Sequence, residues 1–312
     1  VNKGLRIGTR GSQLALWQAN WAAGRLRALC PDLDVDIKII KTIGDTVQDR
    51  PLALIGVKGA FTRELDRALV GGEVDVVVHS LKDVPTEPAE GIALAAVPER
   101  EDARDVFVGK NVRRVVDLPL GAQVGTGSLR RRAQLQAMRP DLEITDLRGN
   151  IDTRLRKLLE SNTLEGIILA AAGVTRLGLL ERVTEYLACA DWLPAPGQGA
   201  LGITVRDGDG EAAAVVALLD DPTSHAAVTA ERALLARLEG GCHVPVGAYA
   251  QFGAGTLLLD GLVADPDGSR VVRASKRGAP EDAAALGKDL AETLLSKGGG
   301  EILAALEEGP TE

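Results

Sequence analysis

"AQVGTGSLRRRAQL", residues 122–135, decides how the rest of the chain is read. Its opening residues read as a strand, and Ser128 is of a type that caps helices by accepting a hydrogen bond from a first-turn N–H. The stretch predicts a strand over 122–128 and a helix from that serine to about Met138. Working outward, "LEITDLRG" (142–149) predicts a second strand, and Asn150 caps a helix carrying Ile151, Leu155 and Leu158. "GIILAAAG" (166–173) predicts a third strand. The same order stands earlier in the chain. "LRIGTR" (5–10) alternates like a strand, and Ser12 caps a helix with Leu14, Trp17 and Trp21 on one face. "VDIKIIK" (35–41) follows, then a helix with Phe61, Leu65 and Leu69 at four-residue spacing, then "VDVVVHS" (74–80), whose β-branched run suits a buried parallel strand. Strand–helix alternation in both halves predicts two α/β domains with mainly parallel sheets. "LPAPGQGALG" (193–202) reads as a connector. Beyond Asp221 a long helix (224–238), short strands near 246–252, 257–263 and 270–276, and closing helices predict a smaller C-terminal α+β domain.

Length and composition agree with several domains: 312 residues, 45% hydrophobic, 26% charged, net charge −8. No run approaches the apolar length of a membrane span, and "VNKGLRIGTRGS" at the start has no signal-peptide core. Cys30, Cys189 and Cys242 are odd in number and far apart, which argues against a disulfide framework and for a reducing, cytoplasmic setting. With aromatics at 3% and an acidic total, nucleic-acid binding is not expected. An acidic chain without obvious patches is expected to be a monomer.

The anomaly in the opening stretch is its charge. Arg130, Arg131 and Arg132 fall in the first turn of a helix, where the macrodipole disfavours cations by about 0.3–1 kcal/mol each. The simplest account is that anions gather there, held by helix N–H groups and guanidinium forks together. Arg10 beside Ser12, Arg148 and Arg154 around Asn150, and Arg176 after the third strand follow the same logic, since strand carboxyl ends form the ligand crevice of doubly wound sheets. Both halves would then aim arginines at one cleft. The competing account is a set of solvated surface arginines paired with carboxylates. No Gly-Lys-Ser/Thr phosphate loop occurs. A dinucleotide fingerprint is partly matched by Gly125, Gly127 and Asp146, but Arg130 stands where close helix–sheet packing wants a glycine.

Two further groups stand out. "HSLKDVP" (79–85) carries Lys82 and Asp83 off a buried strand. There Asp83 could bind an N–H, stabilise a developing cation or move a proton, or simply initiate a turn. "LEGGCHVPVG" (238–247) sets Cys242 directly after two glycines, with Pro245 close behind. Glycine frees the backbone and proline stiffens it, an elaborate setting for one thiol. His79 reads as a packed strand-end histidine. The scattered histidines and cysteines have no metal-ligand spacing, so no metal is expected.

Taken together these stretches resemble the porphobilinogen deaminase (hydroxymethylbilane synthase) family. The resemblance runs in order through "RIGTRGSQLALWQAN", "KTIGD", "VKGAFTREL", "HSLKDVPTE", "GTGSLRRRAQL", "LRGNIDTRL", "LPAPGQGAL" and "LEGGCHVPVGAYA". It implies an enzyme that joins four porphobilinogen molecules head to tail with loss of ammonia, on a dipyrromethane cofactor bound by a thioether to the cysteine matching Cys242, and releases hydroxymethylbilane. Asp83 matches the catalytic aspartate. Lys82, Asp83, Thr126, Ser128, Arg130, Arg131, Arg148 and Gly149 match cofactor-binding positions. Arg10, Ser12, Arg148, Arg154 and Arg176 match positions that hold substrate carboxylates. Lys58 and Phe61 match an active-site loop, and Gln198 lies in a matching connector. Gly127 stands where relatives often carry serine, and His243 where they often carry glutamine. The implied fold has two domains like periplasmic binding proteins, 1–99 with 200–216 and 105–193, and a third, 222–312, bearing the cysteine.

Overall fold

The computed structural model describes residues 4–42, 59, 61–238 and 244–307. Contacts divide the chain into two compact units, Val1–Glu101 with Gly199–His225, and Asp102–Gln198 with Ala226–Glu312. The first unit begins with β1 (Gly4–Thr9), α1 (Gln13–Leu29), β2 (Asp34–Ile39), α2 (Arg63–Val70), β3 (Val76–Ser80) and β4 (Ile92–Ala96). The second holds β5 (Asp105–Gly109), β6 (Gln123–Gly125), α3 (Leu129–Met138), β7 (Glu143–Thr145), α4 (Ile151–Glu160), β8 (Leu164–Ala170), α5 (Ala171–Arg176) and β9 (Glu185–Leu187). β10 (Leu201–Arg206) and α6 (Gly210–Val216) return to the first unit. The division then falls inside α7 (Pro222–Arg237). β11 (Val246–Gly253), β12 (Thr256–Ala264), β13 (Val271–Gly278), α8 (Ala283–Leu294) and α9 (Gly300–Glu307) complete the second unit.

The two five-stranded sheets have matching topology, β2-β1-β3-β10-β4 and β7-β6-β8-β5-β9. The first three strands of each run parallel. The fourth runs antiparallel to both neighbours. That reversed strand, β5 or β10, is in each case the first strand after the chain passes from one unit to the other. The sheets are therefore mainly parallel, with one exception each that strand–helix alternation could not reveal.

Helices cover both faces of the first sheet, as parallel strands require. On one face Ala19, Ala22, Ala23 and Leu26 of α1 pack with Leu5, Ile7, Val35, Val76 and Val78. On the other, Leu65, Ala68 and Leu69 of α2 pack with Val74, Val77 and Ile92. The α1 interface rests on small residues, with Trp21 partly buried against the same core. Its buried stripe is small, with Ala15, Ala19, Ala22 and Ala23, whereas Trp17 is exposed. Alanines let the helix axis approach the sheet where tryptophans would hold it off. Phe61 lies just outside α2, which starts after Thr62, so it is not on that helix's face.

In the second unit Val106, Val108, Ile167 and Leu169 pack under α4 through Leu155 and Leu158. Phe107, Val124 and Ile168 pack on the opposite face with Leu135 of α3 and Trp192. The antiparallel sheet β11-β12-β13 has its own core with α7 and α8, including Leu234, Leu257, Leu259 and Leu290. Gly261 is required at that interface, because a Cβ there would lie 2.8 Å from Leu234 and 2.9 Å from Leu294. Within the same unit Ala133 of α3, Leu193, and Leu262 and Ala264 of β12 form one apolar cluster, so the C-terminal sheet packs on the arginine-bearing helix.

Candidate active site

Each unit presents chemistry-bearing residues where its parallel strands end. In the first, the register Gly8↔Val77 between β1 and β3 sets Arg10 level with His79. Ser12 caps α1, its Oγ accepting from the Ala15 N–H at 3.2 Å. The guanidinium of Arg10 stacks over the Phe61 ring, 4.2 Å from its centroid, a cation–π contact worth about 0.5–1 kcal/mol near a surface. Two residues singled out from distant parts of the sequence thus meet. His79 is buried, with Nε2 3.5 Å from Thr204 Oγ1. Burial, and secondarily the charge of Arg10, push its pKa down to about 4, so the imidazole is neutral at neutral pH.

Lys82 and Asp83 sit on a 3-10 turn, Leu81–Asp83, directly after β3. Leu81 anchors it: its side chain is fully buried and its N–H donates to Ala200 O at 3.0 Å. A Cβ on Gly202 would lie 2.7 Å from Leu81, so β10 leaves room for this plug by carrying glycine there. Buried Gln18 donates to Ser80 Oγ at 2.7 Å, fixing the preceding residue. The result is an exposed carboxylate on a rigid base; among the described residues no hydrogen bond or ion pair engages Asp83.

In the second unit Thr126 and Ser128 follow β6, and Ser128 Oγ accepts from the Arg131 N–H at 3.4 Å, the expected cap. Arg148 and Gly149 follow β7. Arg148 Nε donates to Asp146 Oδ2 at 2.9 Å, and Arg154 Nε donates to Gly149 O at 2.8 Å. Gly149 has φ 113°, and a Cβ there would meet Thr153 at 2.7 Å, so only glycine suits the position. Asn150 occupies the cap position of α4 but its side chain makes no capping bond, contrary to expectation. Arg176 closes α5 after β8 and is buried.

The arginines of α3 correct the sequence reading most. Arg130 and Arg131 are buried and turned onto Asp105, whose carboxylate is wholly inaccessible. Arg130 Nη1 donates to Asp105 Oδ2 at 2.7 Å; Arg131 Nη2 and Nε donate to Oδ1 at 2.7 and 3.2 Å. Burial alone would raise the Asp105 pKa, but the two guanidiniums outweigh it and hold the carboxyl far below the usual range. Arg130 is itself lowered, first by burial and further by Arg131, against the pull of Asp105. The anion gathered at this helix start is thus the chain's own. Arg131 spends Nη1 as well, on Ile168 O at 2.9 Å, whereas among the described residues Arg130 Nε is buried without a partner. Only Arg132, the third of the run, is exposed. Sequence reading passed over Asp105, and its one signal was the first-turn charge, which demands a counterion somewhere. Trp192, whose Nε1 donates to Asp105 Oδ2 at 2.7 Å, was missed as well. Gln198 was foreseen only as part of a connector; its Nε2 reaches Asp105 Oδ1 at 2.8 Å.

Lys58 and Cys242 lie outside the described residues. Among the described residues no group of three or more His, Cys, Asp or Glu side chains could hold a metal ion, and no helix is long and apolar enough to cross a membrane.

Among solved structures the chain is similar to a YaeC-family lipoprotein from Enterococcus faecalis, at TM-score 0.40 and 16% identity over 69% of this chain and 90% of the other. It is also similar to the periplasmic aliphatic sulphonate binding protein SsuA from Escherichia coli, at TM-score 0.39 and 16% identity over 77% and 71%. Among curated proteins it is 50% identical to the porphobilinogen deaminase of Syntrophobacter fumaroxidans over 96% of both chains. It is 51% identical to that of Geobacter sulfurreducens over 96% of this chain and 94% of the relative. A family model described as "Porphobilinogen deaminase, dipyromethane cofactor binding domain" matches residues 5–214, and one described as "Porphobilinogen deaminase, C-terminal domain" matches residues 225–296. With both domains matched in order along nearly the whole length, the chain belongs to the porphobilinogen deaminase family.

Proposed function

We infer that this chain is a transferase of tetrapyrrole (haem) biosynthesis that joins porphobilinogen units, releasing ammonia, by stepwise elongation on a covalently bound dipyrromethane, from which hydrolysis by one water frees linear hydroxymethylbilane. The observation that carries the reading is the match of both family domains, in order, over residues 5–214 and 225–296.

The residues present fit a cofactor that bears several carboxylates. Two guanidiniums against one carboxylate leave the start of α3 net positive, and among the described residues buried Arg130 Nε is a donor without a partner. When bound, the dipyrromethane supplies the pyrrole end to which substrate is joined. We assign Thr126, Ser128, Arg130, Arg131, Arg148, Gly149, Lys82 and Asp83 to holding it, with Cys242 as its point of attachment. Arg131 contributes by charge, since its Nε, Nη1 and Nη2 are already engaged.

At each joining the aminomethyl C–N bond of porphobilinogen breaks, ammonia departs, a C–C bond forms, and the pyrrole carbon that gains the bond loses a proton. Asp83 is assigned the catalytic role. Its exposed carboxylate, held rigidly by Leu81 and Ser80, accepts a pyrrole N–H, stabilises the positive charge that develops as ammonia leaves, and takes up the proton. Arg10, Ser12, Arg148, Arg154 and Arg176 are assigned to the acetate and propionate groups. Phe61 stacks its ring face on Arg10, and by resemblance Lys58 and Phe61 are assigned to an active-site loop. A cytoplasmic monomer acting on porphobilinogen alone, without nucleic acid or membrane, is part of this proposal. Among the described residues Cys30 and Cys189 form no disulfide, which fits a reducing compartment.

The test is the intact mass of the denatured protein with peptide mapping. An excess equal to two linked pyrrole units on the peptide bearing Cys242 supports the reading. A bare-sequence mass that persists after incubation with porphobilinogen overturns it.

A further inference from the structure

Two fully buried carboxylates of the second unit, Asp105 and Glu231, have no part in the chemistry above. Asp105 opens β5. Besides the two arginines of α3, it accepts from Trp192 Nε1 and from Gln198 Nε2, at 2.7 and 2.8 Å. Glu231 lies in α7. Its Oε2 accepts from the Gly197 N–H at 2.7 Å, and its Oε1 from the Ala250 N–H of β11 at 2.8 Å. Gly197 and Gln198 are consecutive, so the carboxylates grip adjacent residues of one segment from different elements. That segment, 192–198, is tied along its length. Leu193 O accepts from Arg130 Nη1 at 2.7 Å and Gln134 Nε2 at 3.0 Å, and Leu193 N donates to Gln134 Oε1 at 2.8 Å. Pro194 O accepts from the Ala248 N–H at 3.0 Å. Gly247 permits the approach, since a Cβ there would fall 2.8 Å from Leu193 Cβ.

We propose that Asp105 and Glu231 are positioning residues that clamp segment 192–198 and, through it, hold the arginine-bearing start of α3 in register with α7 and β11, the elements on either side of Cys242. The consequence for the cofactor rests on the reading of Cys242 as its attachment point. The physical reason for two carboxylates is geometric exclusivity. A buried charge is tolerated only where its donors surround it, so each carboxylate permits one placement of the segment. A thioether made at one end of the cofactor and arginines held at the other require such a fixed separation.

The test uses the full-length protein with Glu231→Gln, which keeps the side chain's volume but turns one acceptor into a donor facing an N–H. Hydrogen exchange followed by mass spectrometry should show at least tenfold faster exchange in peptides covering 192–198 and 246–253, and also at the start of α3, which Glu231 does not touch. The mass gain of cofactor-free protein incubated with porphobilinogen should slow at least fivefold, while the loaded protein keeps its KM for porphobilinogen within twofold. Asp105→Asn should reproduce the exchange pattern from the other end of the clamp; if that variant fails to fold, Glu231→Gln alone decides. Faster exchange confined to the peptide of Ala250, or loading at the wild-type rate, overturns the proposal. So does uniformly faster exchange throughout the unit with KM shifted in parallel, the mark of a merely structural role. Wild-type protein that never gains mass on Cys242 refutes the attachment reading instead, and the exchange pattern then judges the clamp by itself.

Discussion

Lowering the pH from 6.5 to 4 should cost this protein about 3 kcal/mol of stability through one side chain. His79 is buried at the end of β3, and its imidazole titrates at about 4 when folded against 6.5 for an ordinary histidine. Burial is the larger cause and Arg10 the smaller. The unfolded chain therefore binds the proton first, so stability is full above about pH 6.5 and falls until the folded form titrates as well. At about 1.4 kcal/mol per pH unit the span amounts to about 3 kcal/mol. Asp75, where burial is outweighed by hydrogen bonds from Arg6 and Arg206, is held at about 2, so its contribution starts to fade only below about pH 4. The assay is urea unfolding at a series of pH values, followed by tryptophan fluorescence, in which Trp17 and Trp21 report on the unit of His79 and Trp192 on the other. His79→Gln, whose amide can reach the Nε2 position beside Thr204, serves as the reference. Wild type should lose stability across the window relative to the variant. Parallel curves for the two proteins, or an imidazole NMR titration of His79 centred near pH 6.5, would refute the reasoning.

Asp83→Ala should change stability by less than about 0.5 kcal/mol, because the carboxylate is exposed and unengaged, yet lower turnover by on the order of 100-fold or more; turnover within fivefold of wild type would remove Asp83 from the proposed role. Arg148→His gives up a half-exposed ion pair with Asp146, so the melt should show a loss below about 1 kcal/mol. Its KM for porphobilinogen should rise several-fold, and added salt should partly mimic the effect in wild type. Gly149→Ala should destabilise by about 1–3 kcal/mol in thermal or urea unfolding, from its positive φ together with the overlap on Thr153. Combining it with Thr153→Ala should recover only part of that loss, because the backbone strain remains.

What the sequence determined by itself is local in origin. Period and cap residues marked the strand–helix order, because a serine at position 12 or 128 acts on N–H groups only three residues away. The order of motifs also marked the family, and the roles proposed for Asp83 and Cys242 rest on that resemblance. Tertiary structure decided where charge is spent. The arginines at 130 and 131 carried a clear signal, a demand for an anion, but an aspartate at 105 and an external carboxylate satisfy that demand equally on paper. Only the fold brings β5 beside the start of α3 and shows that the first claim on these guanidiniums is internal. The same holds for α1, where close helix–sheet approach buries Ala19, Ala22 and Ala23 and leaves Trp17 exposed. Glu231 had no local signal at all, because its partners, Gly197 and Ala250, are backbone amides whose need for an acceptor appears only once the chain has closed around them. Short-range hydrogen bonds and periodicity are written in neighbouring letters; counter-charges and buried amides are matched across the fold, and packing alone chooses the partner.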